Sequence, residues 1–296
     1  MPRSLVLRPP AKINLTLRVG PRRPDGFHDV RTLMQSIALS DSMTITARTG
    51  PFALHVRGLG VPADRDNLVW RAADLLWRSS GRPGDPRDVH VHLEKAIPAA
   101  AGLGGGSADA AAALVGLSTA WNLRRPRPDL LQLAVQLGSD VPFFLQGGTA
   151  LCAGRGEEIY PVDDIARLGF VIIKPSLGVA TADAYRWLDD DREAGLTDAA
   201  PASGGLDLGW PAGPVPVVND LQAPVAKRHP VIDEMVAACR QAGARAAAMT
   251  GSGSAVFGVF SEPAATRAVA RLRRPDWLVM LTRTLTRREA GRRIGL

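Results

Sequence analysis

The stretch PAAAGLGGGSAD, Pro98 to Asp109, limits what this chain can fold into more than any other segment. Six of its last eight residues are Gly, Ser or Ala, and the apolar run AAAALVGL follows at once. Inside a regular element glycine costs roughly 0.5–1 kcal/mol relative to alanine. Four glycines within five positions, just ahead of a helix-forming run, mean that bare backbone is needed there. Before the loop, HVHLEKAIP (90–98) alternates as a strand that ends at Pro98. After it, Ser107 is expected to open a helix that runs to about Trp121.

Strand, glycine loop and helix in this order present free backbone N–H groups at a helix N-terminus. Those groups and the helix dipole attract anions. Ser107 can cap the helix, or place its hydroxyl on a phosphate or on the Mg²⁺ that accompanies it. A glycine-rich bend with no ligand is the plainer alternative. Neither familiar phosphate motif fits. A Walker A loop ends in Gly-Lys-[Ser/Thr], and no lysine follows these glycines. A dinucleotide fingerprint counted from Gly102 requires a sixth-position glycine, where this chain has Ser107.

The other elements read as a mixed α/β chain. Leu5–Leu7, Ile13–Val19, Met43–Thr46 and Phe52–Val56 read as strands. Asp66 or Asn67 can cap a helix through LVWRAADLLWR, and a further helix is expected over 129–137. Residues 168–174 read as a buried strand, and a short helix follows Thr181. Residues 190–216, rich in Gly, Pro, Ala and Asp, are expected to form a long loop. The final order is helix 230–242, strands 246–249 and 254–260, helix 263–272 and strand 277–284. That order predicts an α+β layer of the split-βαβ kind.

At 296 residues the chain is one large domain or two ordinary ones, with 46% hydrophobic residues to pack. No apolar run approaches the roughly 18–20 residues that span a bilayer. MPRSLVLRPPAK does not read as a secretory signal. Two cysteines, Cys152 and Cys239, cannot build a disulfide framework, and no Cys/His cluster has metal-ligand spacing. The expectation is a cytoplasmic protein without a metal cage of its own, bound neither to membrane nor to nucleic acid. A net charge of +7 fits an anionic partner, or a compositional bias toward arginine. An RNA binder would interleave basic and aromatic side chains on one face. Here aromatics are only 5%, and the arginines are scattered outside the C-terminus. The C-terminal arginines (271–293) are expected to form a solvated face, and His55 to be an ordinary strand residue.

P-x-x-x-G-L-G-G-G-S-A-D resembles the phosphate loop of the GHMP kinase superfamily. PPAKINLTL (9–17) and AMTGSGSAVFGVF (248–260) are similar to that superfamily's first and third motifs, in its order and spacing. DGFHDVRTLMQSI (25–37) and LGSDVPFFLQGGTALCAGRGE (137–157) look like its members that act on a cytidine-diphosphate-linked methylerythritol. The resemblance spans nearly the whole chain. It implies a two-domain fold: residues 1–158 as an ATP-binding, ribosomal-S5-domain-2-like unit, and 159–296 as a ferredoxin-like α+β unit. It also implies ATP and Mg²⁺ as cofactors, a small-molecule alcohol as partner, and a place in non-mevalonate isoprenoid precursor synthesis.

Motif position carries the site residues over. Lys12 and Asp140 match the superfamily's catalytic pair. Asp140 would take or orient the substrate's hydroxyl proton, and Lys12 would hold it ionised. A helix or turn cap for Asp140, and a solvated strand-end lysine for Lys12, are the readings that need no ligand. The resemblance assigns ATP contacts to Pro98, Ala99, Ala100 and Ala101, to Gly102, Leu103, Gly104, Gly105 and Gly106, and to Ser107, Ala108 and Asn67. Lys95 would border the adenine with Asn67. Substrate contacts fall on Asn14, Phe27, His28, Thr181, Tyr185, Gly251 and Ser252. Asn14 follows Lys12 by two residues and so shares its strand face. His28 can read a base edge, while Phe27 and Tyr185 can stack on it. Where relatives often carry Tyr, this chain has Phe27, which keeps the stacking and loses a hydroxyl. Gly251 and Gly253 read equally as a hairpin turn, and Asn219-Asp220 matches a superfamily pair without a role.

Overall fold

The computed structural model describes residues 4–58, 60–197 and 217–296. The first half of the chain runs β1 (Ser4–Leu7), β2 (Pro10–Arg22), β3 (His28–Ser40), β4 (Ser42–Pro51), β5 (Ala53–Arg57), α1 (Leu68–Ser79), β6 (Arg87–Glu94), α2 (Gly105–Ala120), α3 (Arg127–Leu137), α4 (Val141–Gln146), β7 (Thr149–Ala153) and β8 (Glu158–Pro161). The second half runs β9 (Gly169–Pro175), α5 (Thr181–Glu193), β10 (Val218–Asn219), α6 (Gln222–Arg228), α7 (Val231–Gln241), β11 (Ala246–Met249), β12 (Val256–Phe260), α8 (Glu262–Leu272), β13 (Trp277–Arg283) and α9 (Arg287–Ile294). Of the expected loop at 190–216, residues 190–193 complete α5, and 198–216 lie outside the described residues.

The first sheet has the order β1-β4-β6-β5. Its alternating apolar side, Met43, Ile45, Val89, Val91 and Leu93, packs with the buried faces of α1 and α2. Helix α2 is buried nearly all round and apolar apart from residues such as Asp109 and Ser118, as suits a helix surrounded by protein. Its alanines and Gly116 let it approach closely: a Cβ on Gly116 would lie 2.4 Å from Ile45 Cδ1.

The second sheet, β10-β2-β3-β7-β8, is built on the long antiparallel β2–β3 pair. Strand β3 escaped the reading of period two because polar residues point inward from it. Thr32, Gln35 and Ser36 are all buried. Gln35 Nε2 donates to the Leu285 carbonyl at 2.9 Å, and its Oε1 accepts from Thr149 Oγ1 at 2.6 Å.

The third sheet has the order β13-β9-β12-β11, antiparallel throughout, with α7 and α8 packed on it. Counting its strands along the chain gives 4-1-3-2, the split-βαβ arrangement expected. The second and third sheets meet through one apolar layer. Ile13, Leu15, Leu33 and Ile37 on one side pack with Phe170, Ile172 and Phe257 on the other. The short β10 adds a parallel edge to β2, so the later half of the chain also completes the earlier sheet. The halves therefore share a core, and the crevice lies beside it.

The C-terminal arginines are not one solvated face. Arg271, Arg273, Arg274, Arg288 and Arg292 are exposed, but Arg283, Arg287 and Arg293 are half-buried. Arg287 donates to the Thr149 and Val162 carbonyls at 3.2 and 2.7 Å. Arg293 reaches the Ala38 carbonyl at 3.0 Å. Periodicity ending at β13 gave no sign of α9, which a Thr286–Glu289 capping box opens.

Candidate active site

A cleft of about 1440 Å³ runs between the start of α2, the β2–β3 hairpin, α5 and the loop before β12. Pockets for single drug-sized ligands measure roughly 300–1,000 Å³, so this cleft exceeds the room that one such ligand needs. Every expected site residue lines it except Ala108. Ala108 is fully buried, and its N–H donates to the Gly104 carbonyl at 2.9 Å, which removes it as a phosphate donor.

The helix starts two residues earlier than its Ser107 suggested. Gly104 is the N-cap in left-handed conformation, and Gly105, Gly106 and Ser107 form the first turn. Ser107 is therefore not the cap, and its hydroxyl borders the cleft. Ala100, Gly102 and Gly104 all have positive φ, at 49°, 73° and 70°. Alternation of this kind curls successive N–H groups toward one concavity. Two of the glycines are also demanded by close contact. A Cβ on Gly102 would sit 2.0 Å from the Thr250 carbonyl oxygen, and one on Gly104 would sit 2.8 Å from Phe144 Cζ. At Gly106 only Leu68 Cδ1, 3.6 Å away, would be met, so that side faces open cleft.

Lys12 and Asn14 project from the same face of β2. Lys12 Nζ donates to Asn14 Oδ1 at 2.7 Å and stands 3.3 Å from Asp140 Oδ2. The lysine side chain is buried, whereas Asp140, at the start of α4, keeps about a third of its side chain exposed to the cleft. Asn14 is fixed in turn: its Nδ2 donates to Thr32 Oγ1 at 2.7 Å, and Thr250 Oγ1 accepts from its backbone N–H at 3.0 Å. Asp140 caps nothing through its side chain, so the cap reading for it fails.

Lys95, beneath the first turn of α2, lies between two carboxylates. Its Nζ donates to Asp109 Oδ2 at 2.6 Å and to Asp41 Oδ2. Burial, aided by the like charge of Asp41, pushes the Asp109 carboxyl up to about 8 against the pull of Lys95. Its Oδ1 is buried without a partner among the described residues. Asp41 was invisible in the sequence, since nothing local distinguishes it. Asn67 proves to be the N-cap of α1, where its Oδ1 accepts from the Val69 N–H at 2.9 Å.

At the opposite end, Phe27 is exposed, with the Arg155 guanidinium 5.1 Å from its ring centre. His28 is buried, and its ring centre lies 5.1 Å from that of Tyr185. Burial, and next the charge of Asp140, raise the Tyr185 hydroxyl above its ordinary range. Thr181 and Ser252 hydroxyls lie 3.0 Å apart across the cleft floor. Asn219 braces the Gly251 loop: its Nδ2 donates to the Met249 and Gly251 carbonyls, both at 2.8 Å. Asp220 accepts from Arg18 and from the Val19 N–H.

A glycine cradle at a helix start, joined to a buried lysine–carboxylate pair, is what phosphoryl transfer from a nucleotide requires. The description "GHMP kinases N terminal domain" matches residues 67–148, and "GHMP kinases C terminal" matches 206–275. The chain is a GHMP kinase by its family models and its fold, and that fold implies use of ATP. It is 44% identical over 281 residues to a 4-diphosphocytidyl-2-C-methyl-D-erythritol kinase of Pelotomaculum thermopropionicum, covering 94% of this chain and 97% of that protein. To one from Anaeromyxobacter dehalogenans (strain 2CP-C) it is 45% identical over 271 residues, covering 90% and 84%. A crystal structure of 4-(cytidine 5'-diphospho)-2C-methyl-D-erythritol kinase superposes with a TM-score of 0.76 at 34% identity, over 95% of this chain and 99% of that one. The chain belongs to the 4-diphosphocytidyl-2-C-methyl-D-erythritol kinase family.

Among the described residues no helix is long and apolar enough to cross a membrane.

Proposed function

We propose that the chain transfers the γ-phosphoryl group of ATP to the 2-hydroxyl of 4-diphosphocytidyl-2-C-methyl-D-erythritol. One observation carries this: the Lys12–Asp140 pair sits in one cleft with a glycine cradle and with a wall of Phe27, His28 and Tyr185. The cradle, residues 98–107, holds the ATP phosphates through N–H groups at the helix start. The open side of Gly106 supports that placement. The aromatic wall takes the cytosine.

In the transfer, the bond from the γ-phosphorus to the leaving ADP oxygen breaks as the bond to the acceptor oxygen forms. The acceptor's proton passes to Asp140. Because this transition state is loose, Asp140 chiefly orients the hydroxyl. Lys12 stands 3.3 Å from Asp140 and faces the charge on the moving phosphoryl group. Asn14 and Thr32 fix the direction of the ammonium.

The donors present fit a Mg²⁺ carried in with the nucleotide. No group of three His, Cys, Asp or Glu among the described residues could hold an ion alone, while Ser107 and Asp140 offer oxygen at the cleft wall. The metal would neutralise phosphate charge. Residues 1–158 form the ATP-side unit in this reading and 159–296 the second. Each of the two dominant apolar clusters draws mainly on one half, with Leu17, Val19 and Val30 joining the second and Ile294 the first, and that bias supports the division.

The test is ADP formation by purified protein with ATP and Mg²⁺, on this substrate beside mevalonate and homoserine. Turnover confined to the cytidylyl substrate is expected. Its absence there would refute the reading.

A further inference from the structure

Helix α5 carries Tyr185 and Asp189 one turn apart, so both project from the same face. Both meet His28, the first residue of β3. Tyr185 tilts against the imidazole at 32°, and Asp189 Oδ1 lies 2.8 Å from His28 Nε2. The surroundings hold the two partners rigidly. Arg192, one turn further along α5, donates to the Gly20 and Val19 carbonyls at 3.1 and 2.6 Å. Those carbonyls belong to β2, whose end pairs with the start of β3 at Arg22 and His28. Helix and hairpin are thus tied together on both sides of the histidine. The terminal nitrogens of the Arg192 guanidinium are already committed to those carbonyls.

An ionised carboxylate only accepts, so the proton on this bond belongs to His28 Nε2. Assigned from that partner, the neutral ring is the Nε2–H tautomer, and its Nδ1 is an acceptor. No described residue bonds Nδ1. Cytosine offers an amino donor at C4, where uracil offers a carbonyl acceptor. An acceptor nitrogen therefore welcomes the first base and faces a lone pair on the second.

We propose that Asp189 is the specificity-determining positioning residue of the base pocket: it fixes the His28 tautomer whose Nδ1 accepts from the cytosine amino group and turns away uracil. This rests on the reading of the Phe27–His28 wall as the base subsite. The signal in the sequence is the spacing Tyr185-x-x-x-Asp189, which pairs an aromatic and an acceptor on one helix face.

The experiment compares wild type with Asp189→Asn and Asp189→Ala. Each is assayed on the cytidylyl substrate and on its uridylyl counterpart, and each is examined by ¹⁵N NMR of the histidine rings. Wild type is expected to show His28 with Nδ1 unprotonated and Nε2 protonated. In the variants the two tautomers mix. The KM for the cytidylyl substrate rises about tenfold with a much smaller change in kcat, and the preference for cytidylyl over uridylyl narrows by about tenfold. The KM for ATP stays within about twofold in the variants. If both substrates lose equally, Asp189 only supports packing and the proposal falls. A wild-type His28 protonated on Nδ1 also overturns it. Should Asp189→Ala fail to fold, the near-isosteric Asn variant carries the kinetic arm. A wild type inactive on the cytidylyl substrate would instead defeat the proposed function, while the NMR arm still reads the tautomer.

Discussion

Lys95 and Asp109 stand at opposite ends of the phosphate loop, and the lysine ammonium donates to the carboxylate across 2.6 Å. Asp41 joins them. One of its oxygens accepts from Lys95, and the other from the N–H groups of Ala96 and Ile97 at 2.6 and 2.8 Å. The strand that enters the loop and the helix that leaves it are therefore clamped through one buried ammonium. The raised Asp109 carboxyl makes this clamp a titrating device. Below about pH 8 it carries its proton, and the three groups sum to neutral. Above that pH the buried cluster gains a negative charge directly beneath the loop.

That charge opposes an anionic nucleotide. The KM for ATP should rise as pH climbs through about 8, by on the order of three- to tenfold between about pH 6.5 and pH 9.5. The stability term has the same sign. A carboxyl raised in the folded state contributes fully below its ordinary value near 3.8, loses that contribution as pH rises to about 8, and is level beyond. Asp109→Asn should flatten the ATP profile. A KM for ATP that is level across this range in wild type would dismiss the titration.

The acceptor side rests on other contacts. Asp140 lies off the glycine cradle, 3.3 Å from Lys12. Asp140→Asn should lower kcat by on the order of 10²–10⁴ while ATP affinity stays within about threefold. Because Lys12 and Asp140 act as a unit, adding Lys12→Ala should cost little beyond the worse single change. Single-turnover rates with measured ATP dissociation constants would check both. Independent, multiplying effects would separate the two residues.

Much of this was legible locally. The glycine loop announced itself because positive φ and close backbone approach admit only glycine, as at Gly102 and Gly104. The α5 and α7 helices and the strands of the third sheet followed from periodicity. The misses have physical reasons. Ser107 looked like a cap, yet left-handed Gly104 takes that position. Strand β3 hides its period behind inward Thr32, Gln35 and Ser36. Asp41 matters through a partner 54 residues away, a relation no local pattern encodes; the Tyr185-x-x-x-Asp189 spacing marks a helix face, but not the His28 it meets 161 residues away.

Two glycines of the loop should separate folding from binding. At Gly102 a methyl group would drive into the Thr250 carbonyl, a backbone atom that cannot swing aside, and φ is +73° there. Gly102→Ala should lose roughly 2–4 kcal/mol of stability. At Gly106 a methyl group meets only Leu68 Cδ1 at 3.6 Å, and alanine suits a helix better than glycine. Gly106→Ala should keep or raise the melting temperature yet increase the KM for ATP, since its methyl occupies the open side of the helix start. Melting curves beside ATP titrations give the answer, and equal stability loss in both variants would contradict it.

Arg287 supplies a control away from the chemistry. Its guanidinium donates to the Thr149 and Val162 carbonyls, and its N–H to Asp164 at 3.0 Å. These bonds dock α9 on the β7–β8 edge, and Arg287 Nε is already buried without a partner among the described residues. Arg287→Ala removes both side-chain bonds; the Thr149 carbonyl keeps the Val162 N–H at 3.3 Å, and the Val162 carbonyl loses its donor. Unmet buried groups cost about 1–3 kcal/mol, so the midpoint of denaturant unfolding should fall clearly. The site is built from β2, β3, α2, α4 and α5, and the Arg287 hydrogen bonds reach none of these elements. Both KM values should therefore hold within about twofold at a temperature where the variant remains folded. Loss of α9 docking with intact kinetics marks the C-terminal helix as a structural brace; a selective rise in either KM would tie it to the cleft instead.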